Sequence, residues 1–194
     1  MATKQARLPP GKIKHYWLEG DSNMEFLDKF GLPNSVYPPT KHLTFGPWIY
    51  MVPQYKPKSV LMLGYAGGTT AGLIRLLYGN VPITAVDIEP CKNLYNVNFI
   101  QADAREYVKT CRSFDCVIVD LFPNDSKDVC DFVLTREFVL NLKRIANYII
   151  VSTVNNVDMK EYRIFRKMGV NKPAKLGNLI YYFANKEIPN LRIV

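Results

Sequence analysis

Apolar residues run unbroken from Val60 to Leu63, stop at Gly64, and resume at helical spacing through Leu73, Ile74, Leu76 and Leu77. A short apolar run bounded by glycine predicts a strand buried on both faces, and the change of period after it predicts a helix. Gly79-Asn80 ends that helix. Further strands are predicted at Pro82 to Asp87, Asn98 to Asp103 and Phe114 to Asp120, and each ends in a carboxylate. Only about ten residues separate Asp87 from the third strand, so any helix between them is rudimentary. Thr135 caps a helix with Phe138, Leu142 and Ile145 on one face, and Asn147 to Val154 predicts a fifth strand. Asp158-Met-Lys-Glu161 has capping-box form and predicts a basic helix through Arg163, Arg166 and Lys167 that ends at Gly169. Leu179 to Ala184 predicts a late strand. Strands alternating with helices make the fold class α/β, with a doubly wound, mainly parallel sheet and helices on both faces.

The first 57 residues read differently from residues 58–194, which form the α/β domain. Residues 1–14 hold four bases, no acids and Pro9-Pro10, the pattern of an extended arm. Ser22-Asn-Met-Glu25 is another capping-box sequence; with Phe26, Leu27 and Phe30 after it and Gly31 and Pro33 as a stop, it predicts a short helix. Thr44 to Met51 predicts a strand or short helix covering one end of the sheet. His15, with no nearby partner in sequence, reads as structural or exposed and not as catalytic.

The chemistry converges where the strands end. Gly64, Gly67 and Gly68 fall in a strand-to-helix turn, where glycine permits positive φ and lets a ligand approach the backbone closely. Asp87 follows about 20 residues later, the spacing at which a nucleoside-binding sheet places the acid for the ribose hydroxyls. Asp103 has two readings, a ligand contact and the N-cap of a helix starting at Ala104, with Glu106 completing a capping box. Asp120 likewise reads as a proton acceptor or as a fixed acid for a bound amino group.

In this order, Gly64-Tyr-Ala-Gly-Gly-Thr69, Val86-Asp-Ile-Glu-Pro90, Gln101-Ala-Asp-Ala-Arg105 and Phe114-Asp-Cys-Val-Ile-Val-Asp-Leu-Phe122 resemble the class I S-adenosylmethionine-dependent methyltransferase superfamily. Within it they look most like the spermidine synthase-like branch. The resemblance covers residues 58–156, with a looser match beyond. It implies a Rossmann-like fold with an antiparallel strand near the C-terminus, and S-adenosylmethionine as cofactor. It further implies that Gly64, Tyr65, Ala66, Gly67 and Gly68 underlie the methionine part and that Asp87, followed by Ile88, holds the ribose. Asp103 and Ala104 would meet the adenine, and Asp120, followed by Leu121, would stand beside the transferred group. The pattern departs from aminopropyltransferases at Ala66 and Pro123, where those enzymes carry acids, and in an N-terminal segment too short for their full β-rich domain. A polyamine losing its hydration without paired carboxylates is costly to bury.

Composition narrows the setting. At 48% hydrophobic residues, with no apolar run long enough for a membrane span and no secretory signal pattern, the chain reads as a cytoplasmic protein. Cys91, Cys111, Cys116 and Cys130 lack metal-ligand spacing, and Asp120, Asp125 and Asp128 lack accompanying histidines, so no metal site is expected. The net charge of +8 divides into +4 over residues 1–58, −2 over 59–159 and +6 over 160–194. Basic ends around an acidic centre are a candidate nucleic-acid surface or simply a solvated one. The function expected is methyl transfer to an unspecified acceptor. The alternatives are aminopropyl transfer from decarboxylated S-adenosylmethionine and a non-catalytic nucleoside- or nucleic-acid-binding module; a homodimer is compatible with each.

Overall fold

The computed structural model describes the backbone of residues 16–19, 24–27 and 33–37, and residues 47–91, 93–123, 128–172 and 178–185 with their side chains. The basic arm, His15, Asp125 and the chain beyond residue 185 lie outside the described residues. Strands β1 (Tyr16–Glu19), β2 (Met24–Leu27) and β3 (Pro33–Tyr37) pair antiparallel in the order β1-β2-β3. β2 occupies the segment expected to be a short helix. Tyr16 pairs with Leu27 and Glu19 with Met24, so cross-strand hydrogen bonds outweigh the local capping-box pattern. Pro47–Met51 is a 3-10 helix, within the segment read as strand or short helix.

From residue 60 the expected strand–helix alternation is present: β4 (Val60–Leu63), α1 (Thr69–Tyr78), β5 (Ile83–Asp87), β6 (Asn98–Gln101), α2 (Ala104–Thr110), β7 (Phe114–Val119), α3 (Arg136–Ile145) and β8 (Ala146–Val154). β9 (Arg166–Asn171) and β10 (Asn178–Ala184) complete a seven-stranded sheet ordered β6-β5-β4-β7-β8-β10-β9. The first five of these strands are parallel, and β10 runs antiparallel to both β8 and β9. The chain moves outward from β4 to β6 and then returns to place β7 on the other side of β4. That reversal opens a crevice at the carboxyl ends of β4 and β7.

β4 shows why its sequence is uniformly apolar: all four residues are buried, with Val60 and Met62 in one core and Leu61 and Leu63 in the other. Ala71, Leu73 and Ile74 of α1, with Trp48 and Met51, fill the first core. Ala104 and Val108 of α2 and Phe138, Val139, Leu142 and Ile145 of α3 fill the second. Each fully buried large side chain contributes about 1.5–3 kcal/mol of apolar transfer.

The basic helix expected from Asp158 to Gly169 is absent. Lys160–Ile164 makes one 3-10 turn, and Arg166 onward is β9, the outer edge of the sheet. Asp158 does accept the Lys160 N–H at 3.0 Å, but the 3-10 turn starts from Met159 without a side-chain cap, and the chain then pairs with β10. Gly169 lies opposite Tyr182 beside a register shift that leaves Met168 without a partner position, a bulge and not a helix stop. Exposed Arg166 and Lys167 guard this edge against further strand pairing.

No helix lies among the described residues between β5 and β6, and Arg75 of α1 holds that connection instead. Its guanidinium donates to the carbonyls of Tyr95 at 3.2 Å and Asn96 at 3.1 Å, and to that of Val81. Asn93 adds a reciprocal pair with the backbone of Val97 at 2.7 and 3.0 Å. Arg75→Ala leaves those carbonyls without their charged donor and is expected to lower the unfolding free energy by about 2 kcal/mol in urea titrations. A loss within error of zero would show that the connection holds itself.

Candidate active site

The turn between β4 and α1 carries three departures from ordinary backbone geometry. Gly64 has φ +87°, Ala66 φ +47° and Gly68 φ +76°. At Gly64 the reason is space as well as torsion: a Cβ there would stand 2.1 Å from the Asp120 carbonyl oxygen. β4 and β7 are in register up to Leu63 opposite Val119, and the Asp120 N–H donates to Leu63 O at 2.8 Å, so the two strand ends close on each other at Gly64. At Gly68 a Cβ would meet the Tyr65 ring at 2.4 Å. That ring is buried against Phe99, with centroids 5.8 Å apart, and burial pushes its phenol up to about 12. Gly67 is buried in the same turn.

Asp87 fastens this turn from the neighbouring strand. Its Oδ2 accepts the N–H groups of Tyr65 at 2.8 Å and Ala66 at 3.1 Å, and its Oδ1 accepts that of Glu89 at 3.0 Å. Ionised carboxylates offer about four acceptor positions, so one remains for a ligand hydroxyl. The left-handed Ala66 is thereby explained: its N–H is turned into the carboxylate. Ile88, the next residue, is 62% exposed, an aliphatic surface at the mouth of the crevice.

Asp103 is the N-cap of α2. Its Oδ1 accepts the Arg105 N–H at 2.7 Å and its Oδ2 the Arg105 guanidinium at 3.2 Å. The capping reading is therefore realised, while the Glu106 carboxylate pairs with Lys109 at 2.9 Å. Ala104 is buried at the first position of α2. Asp120 lies just past β7, half-buried, and Leu121 follows it with its carbonyl accepting the Cys130 N–H at 3.0 Å. Burial is the main cause that pushes the Asp120 carboxyl up to about 6; the charge of Asp87 adds to it, and the Ser152 hydroxyl opposes it by hydrogen bonding. Asp128 Oδ1 accepts from Asn155 Nδ2 at 3.1 Å.

The crevice thus gathers the glycine turn, Asp87, Ile88, Asp120 and Leu121, and sets Asp103 to its helix. Sequence reasoning missed Ser152 and Asn178. The signal was there in Tyr148, Ile150 and Ser152, where the apolar alternation on one face of β8 ends in a buried hydroxyl. Among the described residues no group of three or more His, Cys, Asp or Glu could hold a metal, and no helix is long and apolar enough to cross a membrane. A separate cleft of about 520 Å3 beside β10 carries Lys160, Arg163 and Lys167 around buried Tyr181 and Phe183; its lining includes none of the crevice residues, and the turn chemistry is the better guide to a ligand.

Two measurements test this geometry. Gly64→Ala brings a methyl into the Asp120 carbonyl, whereas Gly79→Ala meets nothing within 4 Å and strains only its own backbone at φ +72°. Gly79→Ala is expected to cost about 1 kcal/mol in urea titrations and Gly64→Ala clearly more, at least about 3 kcal/mol; equal losses would refute the close approach. For Asp120, the folded pKa of about 6 stands above its ordinary 3.8, so the folded state favours the neutral form. Stability from that preference is complete below about pH 4 and lost as pH rises through about 6. Asp120→Asn is expected to stabilise the chain by about 3 kcal/mol at pH 7 and by well under 1 kcal/mol at pH 4. A gain independent of pH would contradict the assignment.

No known family profile matches the chain. A polyamine aminopropyltransferase of Vibrio vulnificus is 23% identical over 160 residues, covering 70% of this chain and 53% of that protein, so the chain spans about half the length of this curated relative. A probable spermidine synthase from Corynebacterium glutamicum superposes with a TM-score of 0.68 at 14% identity, covering 90% of this chain and 77% of that one. Human methyltransferase-like protein 13, solved in complex with SAH, gives 0.57 at 17% identity over 71% of this chain and 75% of that one. The fibrillarin pre-rRNA processing protein of Methanococcus jannaschii gives 0.53 at 13% identity, covering 89% and 98%. With its mainly parallel seven-stranded sheet and antiparallel β10, the chain has the Rossmann-like fold of the class I S-adenosylmethionine-dependent methyltransferases and the spermidine synthases.

Proposed function

We propose that the chain is an S-adenosylmethionine-dependent methyltransferase whose cofactor lies across the carboxyl ends of β4, β5 and β6. The observation that carries this reading is the Gly64–Gly68 turn held open by Asp87 at the point where the strand order reverses. The residues fit such a group. A lone-pair position remains on Asp87 for a ribose hydroxyl, and Ile88 offers an exposed aliphatic surface to a flat ring. With Asp103 engaged by Arg105, the neighbouring backbone and Ile88 would carry the adenine contacts.

When bound, S-adenosylmethionine supplies an electrophilic methyl on a sulfonium, displaced in line by the acceptor's lone pair. The chain's own contribution is alignment and, for an acceptor that must lose a proton, a base. Asp120 suits the role of base, because with a pKa near 6 it is mostly ionised at neutral pH, yet more basic than an ordinary carboxylate. Its alternative role is to hold the amino group of the cofactor as a fixed anion. Ala66 and Pro123 leave the crevice without the two further acids that a polyamine would need, which favours methyl over aminopropyl transfer.

Two observations favour aminopropyl transfer from decarboxylated S-adenosylmethionine as the second reading: the similarity to the Vibrio protein, and the antiparallel sheet β1–β3 where such enzymes carry a β-rich N-terminal unit. Purified chain incubated with methyl-labelled S-adenosylmethionine and fractionated cell extract is expected to label an acceptor. Decarboxylated S-adenosylmethionine with putrescine is expected to yield no methylthioadenosine. Turnover of the second pair at about one per second or faster would reverse the order of the two readings. In calorimetry, S-adenosylmethionine is expected to bind the native chain, and Asp87→Ala to weaken binding by about 1.5–3 kcal/mol through loss of charge-assisted hydrogen bonds. Unchanged affinity would remove Asp87 from the site.

A further inference from the structure

The face of the sheet that carries Ile118, Ile150, Ile180 and Tyr182 is apolar until the last row of side chains. There it becomes polar. Val119 pairs with Val151, so the next position sets Asp120 beside Ser152 across neighbouring parallel strands. Ile180 pairs with Ser152 on the other side, and Asn178, two residues earlier on β10, shares that face at a diagonal position. Asp120, Ser152 and Asn178 therefore form a polar ledge across three strands, just below the crevice.

Two members of the ledge are buried and Asp120 is half-buried. Ser152 is 0% exposed and Asn178 9% exposed. Asn178 Nδ2 donates to Ser152 Oγ at 3.4 Å, and the strand register sets the Ser152 hydroxyl beside the Asp120 carboxylate, whose charged form it favours. A serine hydroxyl has one proton and two lone pairs, so accepting from the amide turns its proton toward the carboxylate. If the position served packing alone, Ala or Val would fill it without burying a hydroxyl and an amide, each of which must be hydrogen-bonded to avoid a desolvation cost. The ionisable group acting on Asp120 from across β4 is Asp87 at the end of β5, whose charge disfavours the anion, as burial does. Ser152 is the contact that works in the opposite direction.

We propose that Ser152 and Asn178 are positioning residues for Asp120: the amide orients the hydroxyl, and the hydroxyl fixes the carboxylate toward the transferred group. This rests on the part given to Asp120 under the proposed function. It also ties β10, the antiparallel strand, to the reaction edge of β7.

The test is a carbon-13 titration of the full chain labelled at its aspartate carboxyls, with the Asp120 resonance identified as the one missing from Asp120→Asn. Native Asp120 is expected to titrate near pH 6. Ser152→Ala is expected to raise the midpoint by about half a unit or more, Asn178→Ala to raise it by a smaller amount, and Ser152→Thr, which keeps the hydroxyl, to leave it within about 0.2 of native. Native midpoints in both Ser152→Ala and Asn178→Ala would overturn the proposal, as would a shift in Ser152→Thr equal to that in Ser152→Ala. If Ser152→Ala does not fold, Asn178→Ala decides alone, and a native midpoint there overturns it. Calorimetry with S-adenosylmethionine on the same samples separates the outcomes: absent binding by the native chain defeats the transferase reading, whereas an unmoved midpoint defeats the ledge.

Discussion

The strand edge depends on one carboxylate. Asp87 accepts three backbone N–H groups, two of them from the turn that joins β4 to α1. Without it, Tyr65 and Ala66 would aim two donors into a partly buried crevice with no acceptor, and the positive φ of Ala66 would have no compensation. A single acid on β5 thus sets the conformation of a turn on β4. That makes the Asp87 side chain structural before it is functional, and its remaining lone-pair position is a consequence of the turn it supports.

Asp120 presents the opposite balance. Its environment disfavours the charge it carries at neutral pH, through burial and through Asp87. A neutral side chain would be more stable there, and stability surrendered at a crevice is a common mark of a working group. The close approach of its carbonyl to Gly64 fixes the backbone beneath the carboxylate, and Ser152 limits the shift from the side. A strand register and one hydroxyl hold the carboxylate, and its shift is the balance of burial and Asp87 against that hydroxyl.

The ends of the described chain show how tertiary pairing overrides local signals. Both capping-box sequences that failed to give helices, at Ser22 and Asp158, precede segments that found a neighbouring strand. Around Asp158 one local hydrogen bond to the Lys160 N–H forms and one 3-10 turn follows, so the local signal was obeyed for about one turn. Pairing with β10 then satisfied more backbone groups than a short helix with an exposed polar face, which gains little from packing.

The sequence by itself determined the five parallel strands and their three helices. Uninterrupted apolar runs have few other solutions, and the glycines and terminal acids were legible because chemistry demands those residue types at those places. Thr135 and Asp103 were legible as caps because capping is local, bonding the Phe138 and Arg105 N–H groups. Only the tertiary structure decided that Arg75 replaces a helix between β5 and β6, and that Ser152 and Asn178 lie beside Asp120. The last of these joins residues through strand register, and register is a property of pairs of segments that no single segment carries.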